Sequence, residues 1–343
     1  MTAHTIVYLD QNYLSNMAKA RRGFPMDKVD SEFWKSLFVD LRAAVLADKI
    51  ACPESQFQRT EARLDKRIQQ AVLGIIDELS WGLEFNRWEV ILRIQIEDAA
   101  FRFLGKNPPP REAWSTAFTS DPQAPIESRM EYILAIYGGM GVSSSPRDEI
   151  LEEDRQSKLE FMGEAQEILN RYGNNPPSWS ELLLQNKKGV LDGFVGKIAR
   201  DSILQQMRKD SLWDKLSALD RYNDLVDLSD RLREIGINMD KSEVMKFMGS
   251  EQLYDIPFVD INGSIWAAIA QYGCQGRKGE KGDFYDAPIL ATVLPYCDVI
   301  TTDGFMKEIV IKKLHFDQKY ECKVLSAGKT DRQAFQKLIR GLK

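Results

Sequence analysis

The chain has 343 residues, of which 43% are hydrophobic and 28% charged, and its net charge is −5. This composition excludes a wholly disordered chain and a polycation that coats nucleic acid, and no apolar run is long enough to span a bilayer. The N-terminus lacks the basic and apolar regions of a signal peptide. We therefore expect a soluble, cytoplasmic protein with no membrane partner.

The first predicted element is a buried strand. Residues 4–10 are short, apolar and β-branched, and they end on Asp10, where a loop or a helix begins at Gln11. Apolar residues at helical spacing predict a helix over residues 31–48, and a second short strand covers residues 49–52. Two strands with a helix between them favour a parallel sheet.

The second strand ends at a helix start. Pro53 closes the strand, and Ser55 is a preferred residue type for the N-cap of a helix. That helix runs through Arg59 and Glu61. Glu54 is a competing acid in the same segment, but it lies at the strand end rather than on the helix.

The middle of the chain is predicted to be helical throughout. Breaks rich in Pro, Gly and Asn separate the helices, and no internal repeat is evident. The segments with helical periodicity are residues 68–79, 88–104, 128–137, 149–172, 190–208, 213–235 and 241–248.

Strands return near the C-terminus, and one of them again ends on a carboxylate. Residues 297–303 are β-branched and end on Asp303, while Asp298 lies at the opposite end and is interpreted as structural. The other predicted elements are helices over 261–272, 283–294 and 305–314, a basic loop over 276–282, a strand over 320–325 and a basic amphipathic helix over 331–342.

Carboxylates recur at the predicted strand ends. The carboxyl ends of neighbouring parallel strands meet at one edge of a sheet, so we expect the strands 6–10 and 299–303 to be adjacent and parallel, with Asp10 and Asp303 close together. Glu61 follows the second strand, and Asp283 and Asp286 are one helical turn apart. Such acids repel one another unless they bind a hard cation such as Mg²⁺ or Mn²⁺.

Other metal chemistry has few candidate ligands. The chain contains two histidines and four scattered cysteines without a CxxC pair, which argues against a zinc site. Mg²⁺ or Mn²⁺ held by carboxylates activates water for attack on a phosphodiester. The acids therefore indicate hydrolysis of nucleic acid.

Four segments, in this order, resemble the motifs of PIN-like nucleases. They are Leu9 to Asn12, Pro53 to Glu61, Asp283 to Ala291, and Leu294 to Asp303. The resemblance implies a Rossmann-like α/β fold of PIN type, in which the two chain ends form one parallel sheet. It also implies a metal-dependent nuclease that usually acts on RNA.

The resemblance divides the chain into two predicted domains. Residues 1–65 and 256–343 form a discontinuous PIN-like domain, and residues 66–255 form a large all-helical insertion, which departs from a compact PIN domain. A possible homo-oligomer or a protein partner would use this insertion. In the alternative function, the chain is a non-catalytic PIN-like scaffold that binds protein or nucleic acid through the insertion.

The resemblance also assigns roles to the acids. Asp10, Glu61, Asp286 and Asp303 are the predicted catalytic residues, and together with Asp283 they are the predicted ligands of Mg²⁺ or Mn²⁺. Simpler roles remain open: Asp10 and Asp303 as a helix cap and a turn residue, Asp283 and Asp286 as acids favoured at a helix N-terminus, and Glu61 as a surface residue. Gln58 also departs from the pattern, because some relatives with a similar second motif have histidine there.

Basic residues flank the predicted acid site. Arg59 and Arg63 follow the second motif, and Lys278 and Lys281 precede the third; we predict that these four bind nucleic acid. Residues 304–343 contain ten Lys or Arg against four Asp or Glu. A basic rim around an acidic metal centre suits a polyanion, whereas the simpler interpretation of each cluster is a solvated helix face.

Overall fold

A computed structural model describes residues 4–63, 65–128, 177–193, 232–277 and 282–342. Several predicted features lie outside these ranges. The predicted helix over 149–172 lies wholly outside them, as do the basic residues Lys278 and Lys281, and the predicted helices over 128–137, 190–208 and 213–235 lie mostly outside them.

The fold is mixed α/β, with one small sheet and mostly helices. The strands are β1 (Thr5–Tyr8), β2 (Ile50–Ala51), β3 (Val299–Thr302) and β4 (Lys323–Ser326), in the order β2-β1-β3-β4, and every pair is parallel. Val7 pairs with Val299 and Tyr8 with Ile300. The prediction that the first strand and the strand before Asp303 are adjacent and parallel is therefore confirmed.

Helices cover most of the remaining described chain. The first five are α1 (Gln11–Arg22), α2 (Lys28–Leu46), α3 (Gln56–Ala62), α4 (Gln69–Ser80) and α5 (Trp88–Phe103). Later helices are Lys241–Met248, Glu251–Tyr254, Pro257–Cys274, Asp283–Val293, Gly304–Glu308, Phe316–Lys319 and Lys329–Leu342, and residues 179–193 are also helical.

Two C-terminal elements differ from their predicted form. The segment predicted as one helix over 305–314 is an α-helix, Gly304–Glu308, followed by a π-helical turn, Ile309–Lys313. The last strand begins at Lys323 rather than at residue 320, because Glu321 has a positive φ of 51° that interrupts extended backbone. Neither feature has a signature in hydrophobic periodicity.

The core beside the sheet is aromatic where the two chain ends meet. The ring of Tyr13 on α1 packs edge-on against Trp34 of α2 at 5.1 Å and against Phe335 of the last helix at 5.5 Å. Phe335 is fully buried, so the apolar face of this basic helix docks onto the core. Its arginines bind nearby acids, as in the 2.8 Å pair of Arg340 Nε with Asp40 Oδ2.

The chain divides into two compact units. The described residues of the sheet-bearing unit are 4–63, 65–87, 112–128 and 282–342, and those of the second unit are 88–111, 177–193 and 232–277. The first unit contains α4, which lies within the predicted insertion of residues 66–255. The predicted domain boundaries stay a prediction.

Within the second unit, an ion pair and a glycine join two helices. Lys187 Nζ lies 2.7 Å from Asp260 Oδ1, and both side chains are nearly buried. A Cβ atom at Gly263 would lie 2.6 Å from Lys187 Cγ, so the close approach requires glycine. No helix in the described part of the chain is long and apolar enough to cross a membrane.

Candidate metal centre

Asp10 lies where β1 ends and α1 begins. Its Oδ2 caps α1 by accepting hydrogen bonds from the Asn12 backbone N–H at 3.2 Å and from Asn12 Nδ2 at 2.9 Å. The backbone N–H of Asp10 donates to Oγ1 of the buried Thr301 on β3 at 2.7 Å. This bond fixes the start of α1 against the end of the neighbouring strand.

Asp303 has the equivalent position after β3. Its Oδ1 accepts hydrogen bonds from the backbone N–H groups of Phe305 at 2.6 Å and Met306 at 3.0 Å, and so caps the helix Gly304–Glu308. Capping is therefore a real structural role of both Asp10 and Asp303. These capping bonds use Oδ2 of Asp10 and Oδ1 of Asp303, so a cap and a metal ligand can coexist in one carboxylate.

Glu61 is carried by α3, which is anchored to the end of β1. Ser55 is the N-cap of this helix, as predicted, and it forms a reciprocal capping box with Gln58. Gln58 Nε2 donates to the Leu9 carbonyl at 2.5 Å, and Ser55 Oγ lies 3.0 Å from the Tyr8 hydroxyl. Gln58 thus attaches the helix that positions Glu61.

The third motif brings two further acids to the same place. Asp283 and Asp286 lie in the first turn of the helix Asp283–Val293, and Asp283 is 3% exposed. The pKa of Asp286 is raised to about 9, mainly by burial and also by the charges of Asp10, Asp303, Glu61 and Asp283. The carboxylates of the other four predicted metal ligands therefore all act on Asp286.

The pKa of Asp10 is also raised, to about 6. Burial is the main cause and the charge of Asp303 adds to it, while hydrogen bonds from the backbone of Asn12 and Gln11 partly offset the increase. A carboxyl group whose pKa is raised in this way is stabilised as an anion when a cation replaces the missing counter-charge.

The donor set fits a hard divalent cation. All five side chains offer oxygen, which Mg²⁺ and Mn²⁺ prefer. Among the described residues, no three side chains of His, Cys, Asp or Glu converge closely enough to form a metal site by themselves. Water and phosphate oxygens would have to complete the coordination, and Mg²⁺ sites commonly use both.

The structure describes two of the four predicted nucleic-acid-binding residues, Arg59 and Arg63. Arg59 forms ion pairs with Glu54 and, at 2.8 Å, with Asp77. Glu54 is 4% exposed, and its burial raises its pKa to about 7 although Arg59 opposes this. Arg63 ends α3 and forms no ion pair with another described residue, whereas Lys278 and Lys281 lie outside the described ranges.

Sequence reasoning missed several residues at this edge of the sheet. Thr301 links β3 to Asp10, and Lys307 pairs with Asp331 at the end of β4. The one local signal for these residues was the spacing of Lys307, which lies four residues after Asp303. Asp331 is 24 residues further along the chain, so only the pairing of β3 with β4 brings it near.

Comparisons of the chain with protein-family models, with curated proteins and with solved structures give no match. The resemblance to PIN-like nucleases stays a prediction from the four sequence motifs.

Proposed function

We propose that this protein is a PIN-like, metal-dependent nuclease that hydrolyses phosphodiester bonds, with RNA as the favoured substrate. One observation carries the proposal: β1 and β3 are parallel neighbours, and the two acids that follow them act on Asp286 together with Glu61 and Asp283. Crowded carboxylates that are buried or partly buried are costly to keep without a cation, and a structural role alone would not require five of them.

The residues have distinct tasks in the proposed reaction. A bound Mg²⁺ or Mn²⁺ supplies water activation and stabilises the charge of in-line attack at phosphorus. Asp10, Asp286 and Asp303, with Glu61 and Asp283, would hold it as carboxylates. The hydrogen bond to Thr301 and the caps of the two following helices fix the acids before substrate binds, so little reorganisation is needed.

The preference for RNA comes from the resemblance. So does the division into a PIN-like domain, residues 1–65 and 256–343, with a helical insertion that could bind substrate, a second copy or a protein partner. A cytoplasmic location belongs to the same proposal.

A cleavage assay tests the proposed function. Single- and double-stranded RNA and DNA of mixed sequence are incubated with the protein and Mn²⁺, with and without EDTA. We expect Mn²⁺-dependent cleavage that Asp303→Asn abolishes, because Asn keeps the helix cap but removes the charged ligand. Asp65→Asn is the matched control, since the Asp65 side chain is 36% exposed and pairs locally with Arg67.

The result also separates the enzyme from the non-catalytic scaffold. A folded wild-type protein that binds nucleic acid but cleaves none of the four substrates would contradict the nuclease proposal. Cleavage by Asp303→Asn at the wild-type rate would show that the acids assigned here are not the site.

A further inference from the structure

The carboxyl end of β4 holds an ion pair that the proposed metal centre does not use. Lys307 Nζ lies 2.5 Å from Asp331 Oδ2. The same oxygen accepts hydrogen bonds from the Ser326 backbone N–H at 2.9 Å and from Ser326 Oγ at 2.6 Å. Ser326 is the last residue of β4, so the ammonium group is fixed at the end of that strand, unlike the flexible ammonium of most surface lysines.

This ammonium group lies at the same edge of the sheet as the acids. Ser326 pairs in register with Thr302, the residue before Asp303, and the backbone N–H of Lys307 donates to the Asp303 carbonyl at 3.1 Å. Neighbouring strands are about 4.8 Å apart. Along the carboxyl edge of the sheet, Asp10 after β1 is followed by Asp303 after β3 and then by the Lys307 ammonium group at the end of β4.

Lys307 can still bind an anion. An ammonium group has three donors, and Asp331 accepts one of them. Its side chain remains 27% exposed. At the other side of the sheet, in contrast, Arg59 is bound by both Glu54 and Asp77. The counter-charge that a polyanion needs beside the acids is therefore provided at β4.

We propose that Lys307 binds the backbone phosphate next to the one that is cleaved, so that the nucleic acid crosses the sheet edge over β3 and β4. Asp331 is a positioning residue that holds the ammonium group at this place. The inference rests on the proposed nuclease function and adds the path of the substrate to it.

The test measures how nucleic-acid binding depends on salt. Lys307→Met is compared with Lys312→Met in the full-length Asp303→Asn protein, which should bind without cleaving, and the probe is a labelled single-stranded RNA of mixed sequence. Lys312 loses the same charge, but its side chain is 74% exposed and pairs within its own helical segment with Glu308. We expect Lys307→Met to flatten the slope of log K against log salt by about 0.7, and Lys312→Met to leave it unchanged.

A kinetic comparison in the active protein separates binding from a general loss of structure. Lys307→Met should raise KM several-fold with little change in kcat, and Lys307→Arg should restore most of the affinity. Asp331→Asn should raise KM less than Lys307→Met, because the cation is present but no longer held.

The outcomes separate the proposed substrate path from the proposed nuclease function. If the wild type shows metal-dependent cleavage but Lys307→Met has the same salt slope as Lys312→Met, the substrate path is wrong and the nuclease stands. If Lys307→Met lowers kcat and leaves KM unchanged, the phosphate-binding role is also wrong. A wild type that neither binds nor cleaves RNA or DNA overturns the proposed function itself.

Discussion

Asp286→Asn should stabilise the metal-free protein, which is the reverse of what most substitutions at partly buried positions do. The pKa of Asp286 is about 9 in the fold, against 3.8 for an ordinary Asp. A group with a raised folded pKa contributes full stability below its unfolded pKa and loses it progressively as the pH rises towards its folded pKa. Between about pH 4 and pH 9, wild-type stability should therefore fall with pH on account of this group.

The magnitude follows from the distance between the unfolded pKa and the working pH. At pH 7 the fold keeps Asp286 protonated about three pH units above 3.8, and each unit corresponds to about 1.4 kcal/mol. Keeping this acid neutral thus costs about 4 kcal/mol as an upper bound. Asparagine is neutral without this cost, so the gain in free energy of unfolding should be a few kcal/mol at pH 7 and close to zero at pH 4.

The assay is urea unfolding in EDTA at several pH values, with Asp298→Asn as the control. Asp298 Oδ2 accepts a hydrogen bond from the Ile6 backbone N–H at 2.6 Å at the opposite end of the sheet. Its replacement removes the same charge and turns a charge-assisted hydrogen bond into a neutral one, so it should destabilise by about 1 kcal/mol. If Asp286→Asn were also destabilising at pH 7, or if its effect did not change with pH, the carboxylates would not be crowded as we describe.

Two further predictions concern metal binding and the arginine after the second motif. Mn²⁺ should bind more tightly as the pH rises from 6 to 9, because it must displace protons from Asp10 and Asp286, whose pKa values are about 6 and 9. Calorimetry should show that protons are released on binding. An affinity independent of pH in this range would contradict this prediction. Arg59→Met should destabilise the protein by about 2 kcal/mol in urea unfolding, because it leaves the buried Glu54 without its counter-charge. The control, Arg63→Met, should change stability by less than about 0.5 kcal/mol. Equal effects of the two substitutions would show that the Arg59–Glu54 pair is unimportant.

The parts of the fold that follow from local pattern could be predicted from the sequence. The strand before Asp10 and the strand before Asp303 are short, β-branched and apolar, and their parallel pairing follows from the rule that acids at strand ends meet at one edge. The N-cap at Ser55 was also evident from residue type and position, and it is confirmed together with a Gln58 capping box.

Other features depend on contacts between distant residues and have no local signal. Gln58 appeared only as a departure from a motif, yet its amide attaches α3 to the Leu9 carbonyl. The prediction that Arg59 binds nucleic acid stays a prediction, but its ion pairs with the buried Glu54 and with Asp77 on α4 had no local signal. Composition cannot show whether a charge is already paired inside the fold.

The most direct test of the metal centre is anomalous diffraction from crystals grown with Mn²⁺. We predict an anomalous peak at the carboxyl ends of β1 and β3, bound by Asp10, Asp303 and Asp286 directly or through water, and its loss in Asp286→Asn crystals. A fully occupied Mn²⁺ peak elsewhere on the protein, with none between these three carboxylates, would contradict the account.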